Sequence, residues 1–382
     1  MYKEIISPAL THFDSERGHN LVVEALNLAE SNPLTLKLVE VIGNGGERFE
    51  DPVLNIQIGQ TLFDNPVIVG AGETKNGKGV RAFYAAGFGG VEAGTVLYYP
   101  QDGNGFLNGK QVRKRLWILG KDHDVSLNWL GLPSKGVERA DKQLEKYSLD
   151  EIPIGINVSR NAWIEGNAPW AFAAVIGRLY RHASYFSLGF SPNTEDVRKL
   201  LDSKDLLMEI ALACLVEMDK HGGYKDLYIK IGPDLSYSQI DAVIDVVLRA
   251  RLSGIIATNT TTSEVIKSKY GEKWRNVPGA IGGNDPDFRK LATDKVSYIY
   301  KATKGNRQGP IIIFGSGGVH DTQTALEKIR AGARGVQVVT GIRSEGPRVA
   351  SNINRGISAE LRRDGINHLE EIVGSDHQNL AA

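Results

Sequence analysis

The sequence predicts a (β/α)₈ TIM barrel preceded by a small α-helical N-terminal extension. Eight short apolar runs, rich in Ile and Val, alternate with helical segments between residues 67 and 338. These runs are almost free of charges, which is typical of parallel strands buried on both faces. A polar or glycine-rich cluster follows nearly every run, and a barrel collects such clusters at one end. The length of 382 residues suits one barrel with a small appendage.

Residues 1–43 are predicted to form the helical extension, and residues 44–382 the barrel domain. Asp14 and Ser15 are candidate N-caps of a helix that ends near Ser31, and a second helix is predicted from Pro33 to Gly43. These amphipathic helices either cap the barrel, lie on a bilayer surface or enclose a tunnel for a lipid substrate. Three basic and six acidic residues give the segment a net charge of −3, so any membrane contact is expected to be mainly hydrophobic.

A hairpin is predicted over residues 54–63, and the barrel follows it. The predicted barrel strands are Val67–Val69, Gly90–Ala93, Gly155–Val158, Tyr185–Leu188, Leu227–Ile231, Gly254–Ala257, Ile311–Phe314 and Gly335–Val338. The predicted helices between them include Lys78–Ala86, Trp170–His182, Ser203–Lys220, Ser236–Arg251, Asp287–Thr303 and Thr322–Ala331. An open doubly wound sheet is the alternative, but the count of eight favours closure. The long segment 97–154 is expected to cover the active-site end.

Composition excludes several classes of function. Lys plus Arg and Asp plus Glu both total 45, so the charge balance gives no indication of a nucleic-acid partner. The one cysteine, Cys214, excludes an intramolecular disulfide and is expected to be a buried core thiol. The histidines lack metal-ligand spacing, so no metal site is predicted. Because neither a signal peptide nor a run of about 18 apolar residues is found, the expected location is cytoplasmic or the cytoplasmic side of a membrane.

The clusters after the last two strands predict a phosphate site. Gly317 and Gly318 follow the seventh strand, and Thr340 follows the eighth. Barrels often bind a phosphate at this place through backbone N–H groups, and glycine lets the backbone approach the anion closely. Glycine pairs also occur in ordinary tight turns, so it is the order of the clusters on this fold that favours a phosphorylated ligand.

Two further sets of polar residues are candidates for ligand contacts. Lys230 stands inside a buried strand, where it needs either a structural ion pair or a ligand that gathers negative charge, such as a reduced flavin. Asn128, Asn193 and Asn259 fall in three separate loops. Each is compatible with a simple turn, but together their paired donors and acceptors suit a cyclic imide or amide substrate.

Several motifs, taken in order along the chain, resemble those of dihydroorotate dehydrogenases. The matching segments are Asn65–Gly77, Gly87–Thr95, Ser191–Thr194, Lys230–Leu235, Ile256–Thr261 and Glu327–Ala333. The segment Asp14–His19 resembles the helix of the membrane-associated, quinone-dependent branch. Ser191 agrees with that branch, since the soluble branches have Cys at this position. The resemblance covers nearly the whole chain.

The resemblance implies roles for individual residues. Ser191 would be the catalytic base that takes the C5 proton of dihydroorotate while a hydride leaves C6. Substrate contacts would come from Lys75, Asn128, Asn193, Asn259 and Thr260. FMN contacts would come from Ala71, Gly72, Thr74, Lys75, Thr95, Asn157, Lys230, Thr258, Gly283, Gly317, Gly318 and Thr340. A quinone would enter between the N-terminal helices and accept the electrons.

The sequence departs from the family pattern at a few positions. An Asn expected three residues before the serine aligns with Leu188, and an unpaired polar group on a ligand costs roughly 1–3 kcal/mol. The Arg expected beside the quinone aligns with Ile118, and an expected Tyr aligns with Val339. Gly282 replaces a serine. Two hypotheses therefore remain: FMN-dependent dihydroorotate oxidation with quinone in pyrimidine biosynthesis, or the same flavin fold with another substrate or acceptor. A barrel that only binds a ligand is disfavoured by Ser191 and Lys230.

Overall fold

A computed structural model describes residues 15–107, 110–112, 114–120, 122, 124–164, 166–307 and 309–378. Eight parallel strands form a closed barrel, and neighbours around the barrel follow one another along the chain. These strands are β3 (Val67–Val69), β4 (Gly90–Val96), β9 (Ile154–Val158), β10 (Tyr185–Gly189), β11 (Asp226–Ile231), β12 (Gly254–Ala257), β14 (Ile312–Ser316) and β15 (Gly335–Val338). Each predicted run overlaps one of them, so the predicted (β/α)₈ barrel is confirmed.

Aromatic side chains fill the end of the barrel where the strands begin. Strands β1 (Ile56–Ile58) and β2 (Thr61–Phe63) form the predicted hairpin, which brings Phe63 against the barrel. The Phe63 ring centroid lies 6.3 Å from that of Phe314, and Tyr185 and Tyr228 lie 5.5 and 5.1 Å from Phe314. Offset and edge-to-face contacts of this kind stabilise a closed core. The free space therefore lies at the opposite end, where the strands finish.

Helices surround the barrel at the predicted places. They are α3 (Val80–Ala85), α4 (Val137–Leu144), α5 (Ala168–Leu179), α6 (Glu195–Arg198), α7 (Lys204–His221), α8 (Tyr237–Ala250), α9 (Glu264–Ser268), α10 (Pro286–Thr303), α11 (Thr322–Arg330), α12 (Thr340–Glu345) and α13 (Val349–Arg363). Cys214 of α7 is fully buried, as expected, and burial raises the pKa of its thiol. No helix among the described residues is long and apolar enough to cross a membrane.

The N-terminal extension contains two helices, α1 (Ser15–Ala29) and α2 (Pro33–Asn44). The Asn32 side chain accepts a hydrogen bond from the Leu34 amide and caps α2. The prediction that Gly43 ends this helix is wrong by one residue, because Gly45 adopts the left-handed C-cap conformation with φ of 71°. The proposed N-cap Asp14 lies outside the described residues.

Most apolar side chains of these two helices face outward. Leu28 of α1 and Leu34 of α2 are 74% and 81% exposed. Toward the barrel, α1 presents the buried Val23 together with charged groups, and an Arg115 guanidinium nitrogen lies 2.5 Å from a carboxylate oxygen of Glu16. The helices thus cap the barrel through apolar and polar contacts and leave a largely apolar outer surface.

The long segment between the second and third barrel strands covers the open end. It contains a hairpin, β5 (Phe106–Leu107) with β6 (Lys110–Gln111). It also supplies β7 (Leu116–Leu119) and β8 (Val125–Asn128), which join β13 (Ala280–Gly283) in an antiparallel sheet. Leu116, Ser126 and Asn128 of this sheet line the central cavity, as the length of the segment predicted.

Candidate active site

A cavity opens where the barrel strands end, and nearly all predicted site residues line it. The predicted residues that the structure brings together are Ala71, Gly72, Lys75, Thr95, Asn128, Asn157, Ser191, Asn193, Lys230, Thr258, Asn259, Thr260, Gly283, Gly317, Gly318 and Thr340. Because parallel strands of a barrel all finish at one end, residues far apart in sequence converge there.

Thr74 is the predicted cofactor contact that does not line the cavity. Its side chain is fully buried, and its hydroxyl lies 3.5 Å from the backbone oxygen of Glu92. The Thr74 hydroxyl therefore faces β4 instead of a ligand. The sequence motif could not reveal this, because it gives the order of the residues but not the direction of each side chain.

Ser191 lies two residues beyond the end of β10 and is buried at the cavity wall. Its hydroxyl oxygen accepts a hydrogen bond from the backbone N–H of Asn193 at 3.2 Å. A donor in this position stabilises negative charge on the oxygen. Thr194, which the sequence analysis did not single out, has a buried hydroxyl without a hydrogen-bond partner among the described residues.

Asparagine side chains converge beside Ser191. The Asn193 amide donates to the side-chain oxygen of Asn128, whose own amide donates to the Ala280 carbonyl at 3.2 Å. The side-chain oxygen of Asn193 is buried and has no partner within the described chain. Leaving such an oxygen unpaired is unfavourable, so Asn193 is poised to accept a hydrogen bond from a ligand.

Lys230 belongs to a buried polar network beneath the cavity. Its ammonium lies 2.9 Å from the side-chain oxygen of Gln337 and 3.2 Å from a carboxylate oxygen of Glu92. Gln337 in turn donates to the second Glu92 oxygen at 2.8 Å. The structural ion pair considered for Lys230 therefore exists, and the same ammonium also faces the cavity. The sequence of each strand, taken separately, does not predict that Glu92 of β4 contacts Lys230 of β11.

A second chain of hydrogen bonds fixes the polar groups of neighbouring strands. Thr95 donates to the Asn157 side-chain oxygen at 2.7 Å, and the Asn157 amide lies 2.7 Å from the Ser187 hydroxyl. On the other side of the barrel, the Thr258 hydroxyl is buried without a partner among the described residues. Thr258 lines the cavity, so a ligand acceptor there would satisfy it.

The loop after β14 has the backbone conformation expected of an anion site. Gly317 and Gly318 have φ angles of 95° and 83°, which side-chain-bearing residues rarely adopt. A Cβ at Gly317 would lie 3.0 Å from the Phe288 ring. Thr340 begins α12 beside this loop, and its hydroxyl lies 3.2 Å from that of Ser126.

The side of the cavity nearest α1 is lined by charged residues, and the sequence analysis gave two of them, His19 and Glu73, no role. His19 and Glu73 form a pair with 3.3 Å between ring nitrogen and carboxylate oxygen. Burial lowers the pKa of His19, and the Glu73 carboxylate opposes this shift. Lys75 faces the same space without an ion pair or hydrogen bond in the described chain, and burial lowers its pKa. An anionic ligand would offset the cost of holding that ammonium there.

The position of Leu188 differs from its expected role. Ser187 accepts a hydrogen bond from Asn157, and Gly189 lines the cavity, whereas Leu188 between them is fully buried in the apolar core. Side chains alternate along a strand, so Leu188 cannot take the place of a ligand-binding amide. The inward position without a hydrogen-bonding side chain is Gly189, where a Cβ would lie 2.5 Å from the Asn157 side-chain oxygen.

The other departures are divided between the cavity and its surroundings. Val339, Gly282 and Gly283 line the cavity. Ile118 is half-buried in β7, opposite Ser126 of β8, and is not among the lining residues.

Comparison with known proteins identifies close relatives. A family model for dihydroorotate dehydrogenase matches residues 53–361. The chain is 33% identical over 373 residues to a dihydroorotate dehydrogenase (quinone) of Anaeromyxobacter dehalogenans, covering 97% of this chain and 95% of the relative. It is 34% identical over 375 residues to the protein of that name from Natronomonas pharaonis, covering 98% and 99%. The solved structure of Eimeria tenella DHODH in complex with ferulenol matches with a TM-score of 0.82 and 29% identity, covering 96% of both chains.

Proposed function

Because the chain belongs to the dihydroorotate dehydrogenase family, in its quinone class, we propose that it oxidises dihydroorotate to orotate in pyrimidine biosynthesis, using bound FMN and a quinone as acceptor. The observation that carries the proposal is the convergence of Ser191, Asn193 and Lys75 on one cavity. A proton acceptor, an imide-binding amide and a cation that has no ion pair within the described residues together match the groups of the substrate.

The cavity fits FMN on the features that a flavin nucleotide requires. The Gly317–Gly318 turn lets the backbone approach a phosphate, and Thr340 supplies a hydroxyl next to it. The unpartnered Thr258 hydroxyl and the Lys230 ammonium offer donors to the acceptor edge of a flavin ring. When bound, FMN supplies a two-electron acceptor for the hydride of the substrate.

Substrate is positioned by groups on three sides of the cavity. Lys75 would pair with the carboxylate of dihydroorotate, and Asn128, Asn193, Asn259 and Thr260 would bond its ring amides. The Asn259 side-chain oxygen already accepts from the Thr260 amide at 2.8 Å, so its donor group is directed by the loop. Preformed contacts of this kind orient the reacting carbon without further ordering.

Ser191 would remove the C5 proton of the substrate. A serine hydroxyl is a weak base, so the negative charge that develops on Oγ needs a donor, and the Asn193 backbone N–H supplies one. The segment that contains β7 and β8 covers the cavity and limits the access of bulk water. The proton must then leave through a hydroxyl or water relay, for which the buried Thr194 hydroxyl is the nearest candidate in sequence.

The outer surface of the N-terminal helices supports contact with a quinone-bearing membrane. Leu21 and Leu28 of α1 and Leu34 and Leu38 of α2 are all exposed, in a segment that has no excess of basic residues. Apolar burial in the interfacial region would therefore drive a peripheral association, with little contribution from anionic lipid.

Anaerobic reduction tests the proposed reaction directly. Dihydroorotate added to the FMN-loaded protein without oxygen is expected to bleach the flavin absorbance, and a quinone should restore it. Ser191→Ala should keep its flavin but slow the bleaching by about 10²–10⁴-fold, the usual contribution of a general base. Persistence of the oxidised spectrum in the wild-type protein after prolonged incubation would overturn the assignment of the substrate.

A second candidate function is oxidation by the same flavin of another cyclic amide, or transfer to another acceptor. It is favoured by Gly189, which lines the cavity and has no side chain. The family pattern predicts an asparagine amide at the neighbouring position 188, so the cavity wall lacks that amide. A protein that is bleached by a different cyclic amide but not by dihydroorotate would support it. Higher turnover with fumarate than with a soluble quinone would support a changed acceptor.

A further inference from the structure

A second cavity of about 620 Å³ adjoins the active site, between α1 and the rim of the barrel. His19, Glu73, Lys75 and Pro133 line both cavities, so Lys75 stands at their junction. The remaining wall is largely polar, with Val23 as an exception. We call this second cavity the vestibule. Its polar lining does not suit an apolar ligand, for which hydrophobic walls would be needed.

The charges of the vestibule are unevenly compensated. Its acidic residues are Glu16, Glu24, Glu73 and Asp102, and its Lys and Arg residues are Lys75, Lys78, Arg115, Lys135 and Arg139. Two of the acids already have a cationic partner, because Glu16 pairs with Arg115 and Glu24 with Lys78. Glu73 contacts His19, but burial lowers the pKa of His19, so the ring does not compensate the carboxylate near neutral pH.

Three cations of the vestibule remain against two acids. In the described part of the chain, the side chains of Lys75, Lys135 and Arg139 have neither an ion pair nor a hydrogen bond, and Glu73 and Asp102 are the carboxylates without a cationic partner. Lys135 and Arg139 are exposed at the start of α4, whereas Lys75 is half-buried at the inner end. The cations thus extend from solvent to the active site.

We propose that the vestibule is the approach path for the anionic substrate, in which Lys135 and Arg139 attract a small carboxylate and pass it to Lys75. The inference rests on the proposed function, since dihydroorotate and orotate both carry a carboxylate. A cleft lined by one excess sign of charge raises the local concentration of an oppositely charged ligand and its association rate. Lys135 and Arg139 therefore act on substrate capture and not on the chemical step.

The test uses the FMN-loaded full-length protein and orotate, followed by the change in flavin absorbance on rapid mixing. Lys135→Gln combined with Arg139→Gln should lower the association rate constant about 4-fold at low ionic strength, with an unchanged dissociation rate constant and an unchanged kcat for dihydroorotate. Asp102→Asn should raise the association rate about 2-fold. In 1 M salt, where the Debye length is about 3 Å, these differences should vanish.

The matched control removes two exposed charges at the opposite end of the barrel. Lys301 and Lys304 lie at the C-terminal end of α10 and are also exposed without ion pairs in the described chain, so Lys301→Gln with Lys304→Gln should leave association unchanged. Equal rates for wild type and the Lys135/Arg139 variant, in a protein that turns over dihydroorotate, would refute the vestibule and leave the proposed function intact. Absence of dihydroorotate turnover in the wild type would instead refute the proposed function.

Discussion

The buried network around Lys230 gives a quantitative test of the structure. Glu92 is fully buried, and its carboxylate lies 3.2 Å from the Lys230 ammonium. At an effective dielectric constant of about 20, two unit charges at this separation attract by about 5 kcal/mol. The desolvation of both groups offsets much of this attraction, but removing one partner leaves the other charge uncompensated.

Glu92→Leu is therefore expected to destabilise the flavin-free protein by about 3–5 kcal/mol. The double variant Glu92→Leu/Lys230→Met should recover most of that loss, because it removes both charges. The double variant should remain about 1–2 kcal/mol less stable than the wild type, because it also loses the hydrogen bonds that Gln337 and Tyr185 donate to the Glu92 carboxylate, at 2.8 and 3.3 Å.

Equilibrium urea unfolding followed by tryptophan fluorescence and circular dichroism measures these free energies, provided that the two probes coincide. The conservative variant Glu92→Gln should fall between the wild type and Glu92→Leu, because it keeps a hydrogen-bond acceptor but not the charge. A cost below about 1 kcal/mol for Glu92→Leu, or no coupling to Lys230→Met, would show that the pair is not held as the structure places it.

Three further outcomes are expected. Leu188→Asn should lower the free energy of unfolding in urea by about 2–4 kcal/mol, because it buries an amide in the apolar core. The variant should gain no dihydroorotate turnover. A gain in turnover would show that the side chain of residue 188 reaches the cavity. Gly317→Ala should release FMN on gel filtration, because an alanine there would need a φ of 95° and would place its Cβ 3.0 Å from the Phe288 ring. Retention of the flavin would count against a phosphate site at Gly317 and Gly318. Burial lowers the pKa of the Lys328 ammonium from its ordinary value of 10.5 to about 7. Between pH 7 and pH 10.5 the unfolded state therefore binds one proton more than the folded state. In this range the free energy of unfolding of the wild type should rise with pH relative to that of Lys328→Met, by at most about 1.4 kcal/mol per pH unit. Parallel pH profiles of the two proteins would contradict this.

Short-range sequence patterns were enough to predict the strands and helices of the barrel. Every predicted strand overlaps an observed one, because a strand buried on both faces consists mainly of apolar residues. Helix α2 shows the limit of such patterns. Gly43 and Gly45 are both plausible terminators in the sequence, and the packing of Gly43 against Ala86, where a Cβ would lie 2.6 Å from the Ala86 Cα, explains why the helix continues past it.

The active-site residues were predictable because a closed barrel brings all of its strand ends together. Once eight strands were recognised, the polar clusters that follow them had to share one cavity, which contains Ser191, Asn193 and Lys230. Thr74 does not line the cavity, and its motif could not indicate this, because a motif gives neighbours along the chain but not the direction of each side chain. The same limit applies to Leu188 and Gly189, since one step along a strand exchanges the inner for the outer face.

The sequence by itself determined the fold class, the order of the strands and the residues gathered at the barrel mouth, because these depend on hydrophobic periodicity and on motifs local in the chain. Only the tertiary structure decided which charges meet. The pairs Glu92–Lys230 and Glu73–His19 join residues 138 and 54 positions apart, and no local pattern encodes them. The vestibule has the same origin, because its cations come from separate segments and form one site only when α1 closes over the rim of the barrel.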